Sequence, residues 1–397
     1  MVQAVTARTL VLVFLAACGG GDDAPAVDAR PSDDFDRNAL LAHLSTNVLL
    51  PLQANVQTAT AALPATLGAY CDALDAGAVG TTLDVARAAF ADAIGAWEAA
   101  EAALVGPAEM NNDALRGVIY SWPFVSPCEL DKDTAARHAN PASYSVAAKL
   151  VNARSLSAVE FLLYPQNDLH NCAQPPPGFM ELGANLPKAR CRLALAIATD
   201  VAAQAVTLHT AWKADGGDYV GTLANAGRAG SSIPSAHAGL NLVSDAMFYL
   251  DKLVKDMKLA EAAGIAVNSC GTVEEPCVRE VELRYADLST RAIRQNLATF
   301  RAVFTGEPAA GPAGPGFDDF LIALGHADVA ARMTSNIDRA IAAAAALPDS
   351  FLTALSTDYA AVVATHAAIR GITDDLKSQF LTLLALEIPD DVAADND

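Results

Sequence analysis

The clearest pattern in the chain is an amphipathic repeat that begins at Thr82. Over residues 82–104, large apolar side chains recur at intervals of 7, 4, 3 and 7 residues, namely Leu83, Phe90, Ile94, Trp97 and Leu104. This spacing places them on one face of a helix. Similar periodicity recurs at residues 38–64, 143–164, 186–214, 234–260, 281–304, 317–346 and 349–386. The sequence therefore predicts a series of long helices.

Strand signals do not accompany this pattern. No stretch combines an alternation of Val, Ile and Thr with a tight Asn-Gly or Asp-Gly turn, which is typical of hairpins. Gly, Pro and Asn cluster at residues 106–113, 171–179, 227–235 and 306–317, where we expect loops. We predict an all-α fold of antiparallel helices in two bundles, residues 38–220 and 221–386, with a boundary near residues 216–234.

The composition supports a large helical core. Of the 397 residues, 52% are apolar and 18% are charged, which is too apolar for a disordered chain. The net charge of −20, from 26 basic and 46 acidic residues, argues against a nucleic-acid partner because phosphate contacts need clustered Lys and Arg. Residues 19–36 and 387–397 supply about half of that charge, so the helical part is only moderately acidic.

The N-terminus resembles a bacterial lipoprotein signal. Arg8 precedes an uncharged, mostly aliphatic run over residues 9–17, which is too short to span a bilayer and ends in Leu15-Ala16-Ala17-Cys18. We predict a signal segment over residues 1–18, with the membrane lipid attached to Cys18. The alternative is an ordinary cleaved signal followed by a free cysteine. Residues 19–37 are predicted to be an acidic flexible tether, and residues 387–397 a solvated acidic tail.

Six further cysteines suggest disulfide bonds in an exported chain. Six cysteines allow 15 pairings, and sequence proximity favours Cys270 with Cys277 and Cys172 with Cys191, which leaves Cys71 with Cys128. A zinc or iron–sulfur site is the competing interpretation, but the chain has no C-x-x-C pair.

Several motifs follow one another in an order that is shared with a known family of exported bacterial proteins. They are Trp97-Glu98, Gly106-Pro107, Ile119-Tyr120-Ser121-Trp122-Pro123, the run from Ser155 to Tyr164, and the run from Glu282 to Ser289. In this order and spacing, residues 38–386 resemble the imelysin-like family. The run SLSAVEFLLY at 155–164 occupies the place of the family signature Gly-x-His-x-x-Glu and the aromatic and leucine residues that follow it.

The resemblance implies two related helical bundles in one elongated body, a place in the cell envelope, and a role near iron uptake. As partner we expect an iron-uptake receptor or another envelope protein. It also implies a metal site at the His-x-x-Glu pair and a peptidase label. This chain departs from the signature, because Ser157 stands at the His position and Ser155 at the first Gly, so that Glu160 alone is retained. Tyr120 and Ser121 stand where the family often has an Asp.

Glu160 is the main candidate for chemistry. If residues 143–164 form one helix, Glu160 lies on a mostly apolar stripe with Ser157 one turn earlier, and a buried carboxylate is costly unless it is paired, protonated or bound to a cation. Two interpretations stay open: a residual site for iron or another divalent metal, or a buried Glu paired with an Arg of a neighbouring helix. A Ser hydroxyl is a poor substitute for imidazole as a metal ligand.

The predicted binding cleft consists of Ser157, Glu160, Tyr120, Trp122 and Trp97. The sequence contains neither H-E-x-x-H nor G-x-S-x-G, and its seven His are scattered. We therefore expect a lipid-anchored, non-catalytic protein on the periplasmic side or outer-membrane surface that binds iron, an iron complex or a receptor. The alternatives are a metal-dependent peptidase of the same family, and a structural or adhesive lipoprotein without a small ligand.

Overall fold

The computed structural model describes residues 33–165, 167–271 and 273–389, and most of these residues are helical. No strand occurs in these ranges, so the all-α prediction is confirmed. Their α-helices are α1 (Arg37–His43), α2 (Leu50–Ala76), α3 (Thr82–Glu101), α4 (Met110–Ile119), α5 (Pro127–Ala139), α6 (Leu156–Leu163), α7 (Leu186–Trp212), α8 (Tyr219–Ala224), α9 (Ala236–Met247), α10 (Ser289–Thr305), α11 (Phe317–Ala323), α12 (Ala327–Ala346), α13 (Phe351–Thr357), α14 (Tyr359–Asp375) and α15 (Leu381–Leu384).

Shorter helical segments of other types connect these elements. Within the described ranges, π-helical turns occur at Leu44–Leu49, Leu250–Glu261 and Leu376–Phe380, and 3-10 turns at Gly106–Ala108, Val146–Ala148, Val151–Ala153, Met180–Asn185 and Val278–Glu280. The predicted lipid-acceptor Cys18, the rest of the signal segment, residues 19–32 of the tether and residues 390–397 of the tail lie outside the described residues.

Helices α2 and α7 pack antiparallel in the first half of the chain. Gln57 near the start of α2 contacts His209 near the end of α7, while Asp72 near the end of α2 binds Arg192 near the start of α7, with 2.8 Å between oxygen and nitrogen. Long apolar faces make this pairing possible, since α2 and α7 each bury a row of side chains along their length. Helix α2 is followed by Gly77, whose φ of 67° allows the chain to reverse into α3.

Two of the three predicted disulfides differ from those in the structure, because helices α2 and α7 pack together. Cys71 bonds to Cys191, and Cys128 bonds to Cys172, so the predicted pairs Cys172–Cys191 and Cys71–Cys128 are wrong. The reason is that antiparallel packing brings Cys71 beside a cysteine 120 residues away, which sequence proximity does not show. The predicted bond between Cys270 and Cys277 is confirmed.

In the second half, α10 packs antiparallel to α12, and α12 antiparallel to α14. Arg301 and Arg294 of α10 bind Asp338 and the carbonyl of Ala344 in α12, in reverse order along the two helices. Helix α10 also runs parallel to α3, where Asn296 donates to the carbonyl of Glu98 at 2.8 Å. One buried apolar cluster includes side chains from both halves. The division into two related bundles at residue 220 and the elongated shape stay predictions.

Two predicted helices begin later than the sequence pattern indicates. Residues 143–164 do not form one helix, because two 3-10 turns precede α6 and Leu150 is 75% exposed. Tertiary contacts hold this backbone in place: the Asn152 carbonyl accepts from the Ser126 N–H, and the buried Arg154 binds Asp200 at 2.7 Å. Residues 281–288 are also non-helical, and α10 begins only at Ser289.

Candidate functional site

A cavity of about 110 Å³ lies between the loop that follows α4 and the segment that precedes α10. Glu160 of α6 contributes to its lining, and it is only 5% exposed. We call this space the Glu160 cavity. The side chains that line it are Trp122, Pro123, Val125, Glu160, Arg279, Glu280, Val281, Leu283, Arg284 and Tyr285.

Backbone amides hold one oxygen of the Glu160 carboxylate. Oε1 accepts hydrogen bonds from the N–H groups of Tyr285 at 2.9 Å and Ala286 at 3.0 Å. Oε2 makes no hydrogen bond or ion pair with any described residue. Burial raises the pKa of Glu160 to about 7, although the two N–H bonds and the charge of Arg284 act in the opposite direction.

The turn at residues 282–288 presents these two amides. Leu283 and Asp287 adopt positive φ angles of 50° and 56°, and the Asp287 N–H closes the turn on the Leu283 carbonyl at 2.7 Å. The Ser289 hydroxyl donates to the Glu282 carbonyl where α10 begins. The turn is thereby fixed at both ends, and its N–H groups point at Glu160.

A disulfide-closed loop supports the wall that carries Arg279. After the Cys270–Cys277 bond, the Arg279 Nη2 donates to the Ser269 carbonyl at 3.1 Å, and the Glu280 Oε1 accepts from the Ser269 N–H at 3.1 Å. Arg284 is held in turn, since its Nη1 donates to the Arg279 carbonyl at 3.1 Å. Each guanidinium group thus donates one hydrogen bond to a backbone carbonyl of this wall.

A buried ion cluster lies beside the turn and joins the two halves of the chain. The Lys258 Nζ contacts Glu98 Oε2 at 2.5 Å and Glu282 Oε2 at 2.9 Å, and all three side chains are completely inaccessible to solvent. Asn296 completes the cluster, accepting from Lys258 through Oδ1 at 3.1 Å and donating to Glu98 Oε2 through Nδ2 at 3.1 Å. Because two carboxylates share one ammonium, burial and the charge of Glu282 raise the pKa of Glu98 well above its usual range.

Tyrosine hydroxyls extend this cluster toward α3 and α4. Tyr120 donates to Glu282 Oε1 at 2.9 Å, and Tyr249 donates to Glu101 Oε2 at 3.0 Å. Arg116 neutralises Glu101 through an ion pair of 2.9 Å. The network fixes Glu282, and hence the turn whose amides bind Glu160.

Comparison with known proteins gives a family for this chain. The model of the imelysin family, labelled peptidase M75, matches residues 50–379. The chain belongs to the imelysin family.

Solved structures share the imelysin fold at low sequence identity. An imelysin-like protein from Psychrobacter arcticum 273-4 is 16% identical and has a TM-score of 0.65, over 91% of this chain and 100% of that one. A protein named as an iron-regulated protein A precursor, from Parabacteroides distasonis ATCC 8503, is 17% identical and has a TM-score of 0.67, over 90% of this chain and 96% of that one. No curated protein matches this chain.

A metal ion does not fit the imelysin signature position of this chain. Among the described residues, no group of three or more His, Cys, Asp or Glu side chains is arranged to hold a metal. Glu160 spends one oxygen on backbone N–H groups, and Ser157 stands where the family has its His. Metal binding by Glu160 stays a prediction. Its hydrogen-bond partners among the described residues are backbone amides and not the side chain of an Arg on a neighbouring helix.

Two of the five predicted cleft residues lie together, Glu160 and Trp122. Ser157 is buried and its Oγ has no hydrogen-bond partner, while Tyr120 is buried against Glu282. Trp97 is completely buried in the apolar core, so its placement in the cleft is wrong. It faces inward because it shares the buried face of α3 with the other large side chains of that helix.

Sequence reasoning missed the residues opposite Glu160. The run Glu282-Leu283-Arg284-Tyr285 is part of the family resemblance, but a resemblance gives no side chain a role. A usable signal exists for the ion cluster, because Lys258 and Glu98 are charged residues at core-facing helical positions. Two opposite charges at buried positions predict a pair, although not which helices meet.

Proposed function

We propose that this protein is a non-catalytic binding component of the bacterial cell envelope that serves iron acquisition. Membership of the imelysin family and likeness to a protein named as an iron-regulated protein A precursor support this role. The segment that ends in Leu15-Ala16-Ala17-Cys18 supports export and a lipid anchor on Cys18. Three disulfides among the described residues suit an oxidising compartment.

The observation that carries the proposal is the chemistry of the Glu160 cavity. It offers a carboxylate oxygen without a partner, two guanidinium groups and an aromatic wall, which are groups that bind polar ligands. A preformed cavity with a few polar groups is typical of a binding site. We infer that the cavity takes a polar group of an iron-acquisition partner or of an iron complex, because bare iron finds no sufficient ligand set there.

The family label favours a second candidate, a metal-dependent peptidase. A catalytic zinc site needs three protein ligands and an open position, and the described residues hold no such group. A nucleophilic Ser needs an adjacent base, and the Ser157 Oγ has no hydrogen-bond partner. These observations support binding over catalysis.

A growth experiment tests the proposal. A strain that lacks the gene is grown under iron chelation and complemented with the wild type, Glu160→Gln, Cys18→Ser or Glu129→Gln. We expect the wild type and Glu129→Gln, an exposed control on α5, to restore growth, and the other two variants to fail. Equal growth of the deletion strain and the wild type would contradict the iron role, and chelator-sensitive proteolysis by the purified protein would contradict the non-catalytic one.

A further inference from the structure

We infer that the Glu160 cavity binds a small carboxylate that carries a hydroxyl or ammonium group on the adjacent carbon. The ligand carboxylate binds Arg279 and Arg284, and the neighbouring donor binds Glu160 Oε2. This inference deepens the proposed binding function and rests on it.

Glu160 supplies the acceptor. Its Oε2 is the half of the carboxylate that no described residue uses, although the side chain is only 5% exposed. Because Glu160 lines the cavity, a ligand that supplies an N–H or O–H group is able to form a charge-assisted hydrogen bond with this oxygen. The amides of Tyr285 and Ala286 keep the carboxylate in place, so the ligand does not have to order it.

Arg279 and Arg284 supply the cationic side. Each guanidinium carries five N–H groups, and the described residues use one of these on Arg279 and two on Arg284. Neither side chain makes an ion pair with a carboxylate among the described residues. Guanidinium N–H groups that no described residue uses suit a carboxylate, which they bind through charge-assisted hydrogen bonds.

The balance of charge around the cavity selects a ligand with both kinds of group. Arg279 and Arg284 face two carboxylates, Glu160 and Glu280, in the same lining. The Glu280 Oε1 accepts a hydrogen bond from the Ser269 N–H, and the charge of this carboxylate repels a simple anion. The charges of the two Arg repel a simple cation. A ligand with a carboxylate at one end and a donor next to it satisfies both sides.

The cavity has room for a small acid. Its volume of about 110 Å³ holds several water molecules, and it is partly open to solvent. In it, the methyl group of a three-carbon acid such as lactate or alanine would lie against the apolar wall of Trp122 and Val125. A larger chelate would present one such group to the cavity and keep the rest outside.

Titration calorimetry of the purified chain with L-lactate, L-alanine and propionate tests the inference. Propionate has the same carbon chain and carboxylate but no adjacent donor, so we expect lactate or alanine to bind at least about tenfold more tightly. Trp122 gives a second readout, since Trp97 and Trp212 are completely buried away from the cavity. A preference for lactate or for alanine identifies the adjacent donor as hydroxyl or ammonium.

Variants assign the two ends of the ligand. Arg279→Gln and Arg284→Gln should each weaken binding about tenfold or more, because each removes a charge-assisted hydrogen bond. Glu160→Gln should reduce the affinity for lactate or alanine to that for propionate, since its amide N–H₂ would face the ligand donor. Arg291→Gln is the matched control, because Arg291 is a half-exposed Arg of α10 that pairs with Asp92 at 3.1 Å, outside the cavity. It should bind as the wild type does.

Three results would overturn the inference: no heat with lactate or alanine, equal affinity for propionate, or unchanged binding by the Arg variants. Arg279 is exposed, so Arg279→Gln keeps the test valid if Arg284→Gln does not fold. If lactate and alanine do not bind but growth under iron limitation still depends on Glu160, this inference is wrong and the proposed function stands. Specific lactate or alanine binding without a growth phenotype would instead contradict the iron role alone.

Discussion

Replacing Glu160 by Gln tests how the site affects stability. Burial raises the pKa of Glu160 from 4.5 to about 7, so the native chain binds more protons than the unfolded chain between these values. The stabilising effect of this proton is complete below pH 4.5 and is lost as the pH rises through 7. Gln keeps the size of the protonated side chain and an oxygen for the two backbone N–H groups, but it does not titrate.

The size of the effect follows from the two pKa values. A difference of this size corresponds to about 3 kcal/mol of destabilisation by ionised Glu160 when the pH is well above 7. Relative to the wild type, Glu160→Gln should therefore raise the free energy of unfolding by about 1 kcal/mol at pH 5 and by about 3 kcal/mol at pH 8.

Urea unfolding followed by circular dichroism at pH 5, 6, 7 and 8 measures this difference directly. Glu129→Gln is the control, because it makes the same substitution at a half-exposed carboxylate of α5, away from the cavity. A Glu160→Gln difference that does not change with pH, or a variant less stable than the wild type at pH 8, would refute the account of Glu160 as a strained buried acid.

Two further predictions concern the links that hold the fold together. Lys258→Met should lower the free energy of unfolding by about 3–5 kcal/mol at pH 8, and by less at pH 5, because it leaves two buried carboxylates without their ammonium. The control Lys132→Met, at an exposed ion pair, should lower it by about 1 kcal/mol or less. Similar losses for both variants in urea unfolding would contradict this reasoning. Removing the Cys71 disulfide should cost about 5 kcal/mol and removing the Cys270 disulfide about 2 kcal/mol, since they close 120 and 7 residues. Equal losses in guanidinium unfolding would show that chain entropy does not set the order.

The long helices could be predicted from sequence because their apolar faces are continuous. Helix α3 is an example, since Phe90, Ile94 and Trp97 are all buried on the face that their spacing predicts. Residues 143–164 show the limit of this reasoning: their apolar spacing suits a helix, but Arg154 and the Asn152 carbonyl are committed to distant partners. Local periodicity contains no information about such partners.

The sequence predicts only part of the site, because local patterns identify some of its side chains but not the backbone groups that face them. Glu160 could be selected because a carboxylate in an apolar run needs a special environment, and Trp122 because its motif is shared with the family. The amides of Tyr285 and Ala286 could not be selected, because backbone N–H groups are common to almost every residue. Their role depends on a turn with positive φ at Leu283, a residue type that seldom adopts that conformation.

The distance along the chain between Glu160 and its amides has a consequence for biogenesis. Tyr285 lies 125 residues after Glu160, so during synthesis the ribosome completes α6 long before the turn that faces it exists. The Cys71–Cys191 and Cys128–Cys172 bonds need only the first half of the chain and can form in that interval. The two disulfides of the first half therefore do not depend on the turn, whereas the cavity exists only in chains that include the residues up to Ala286.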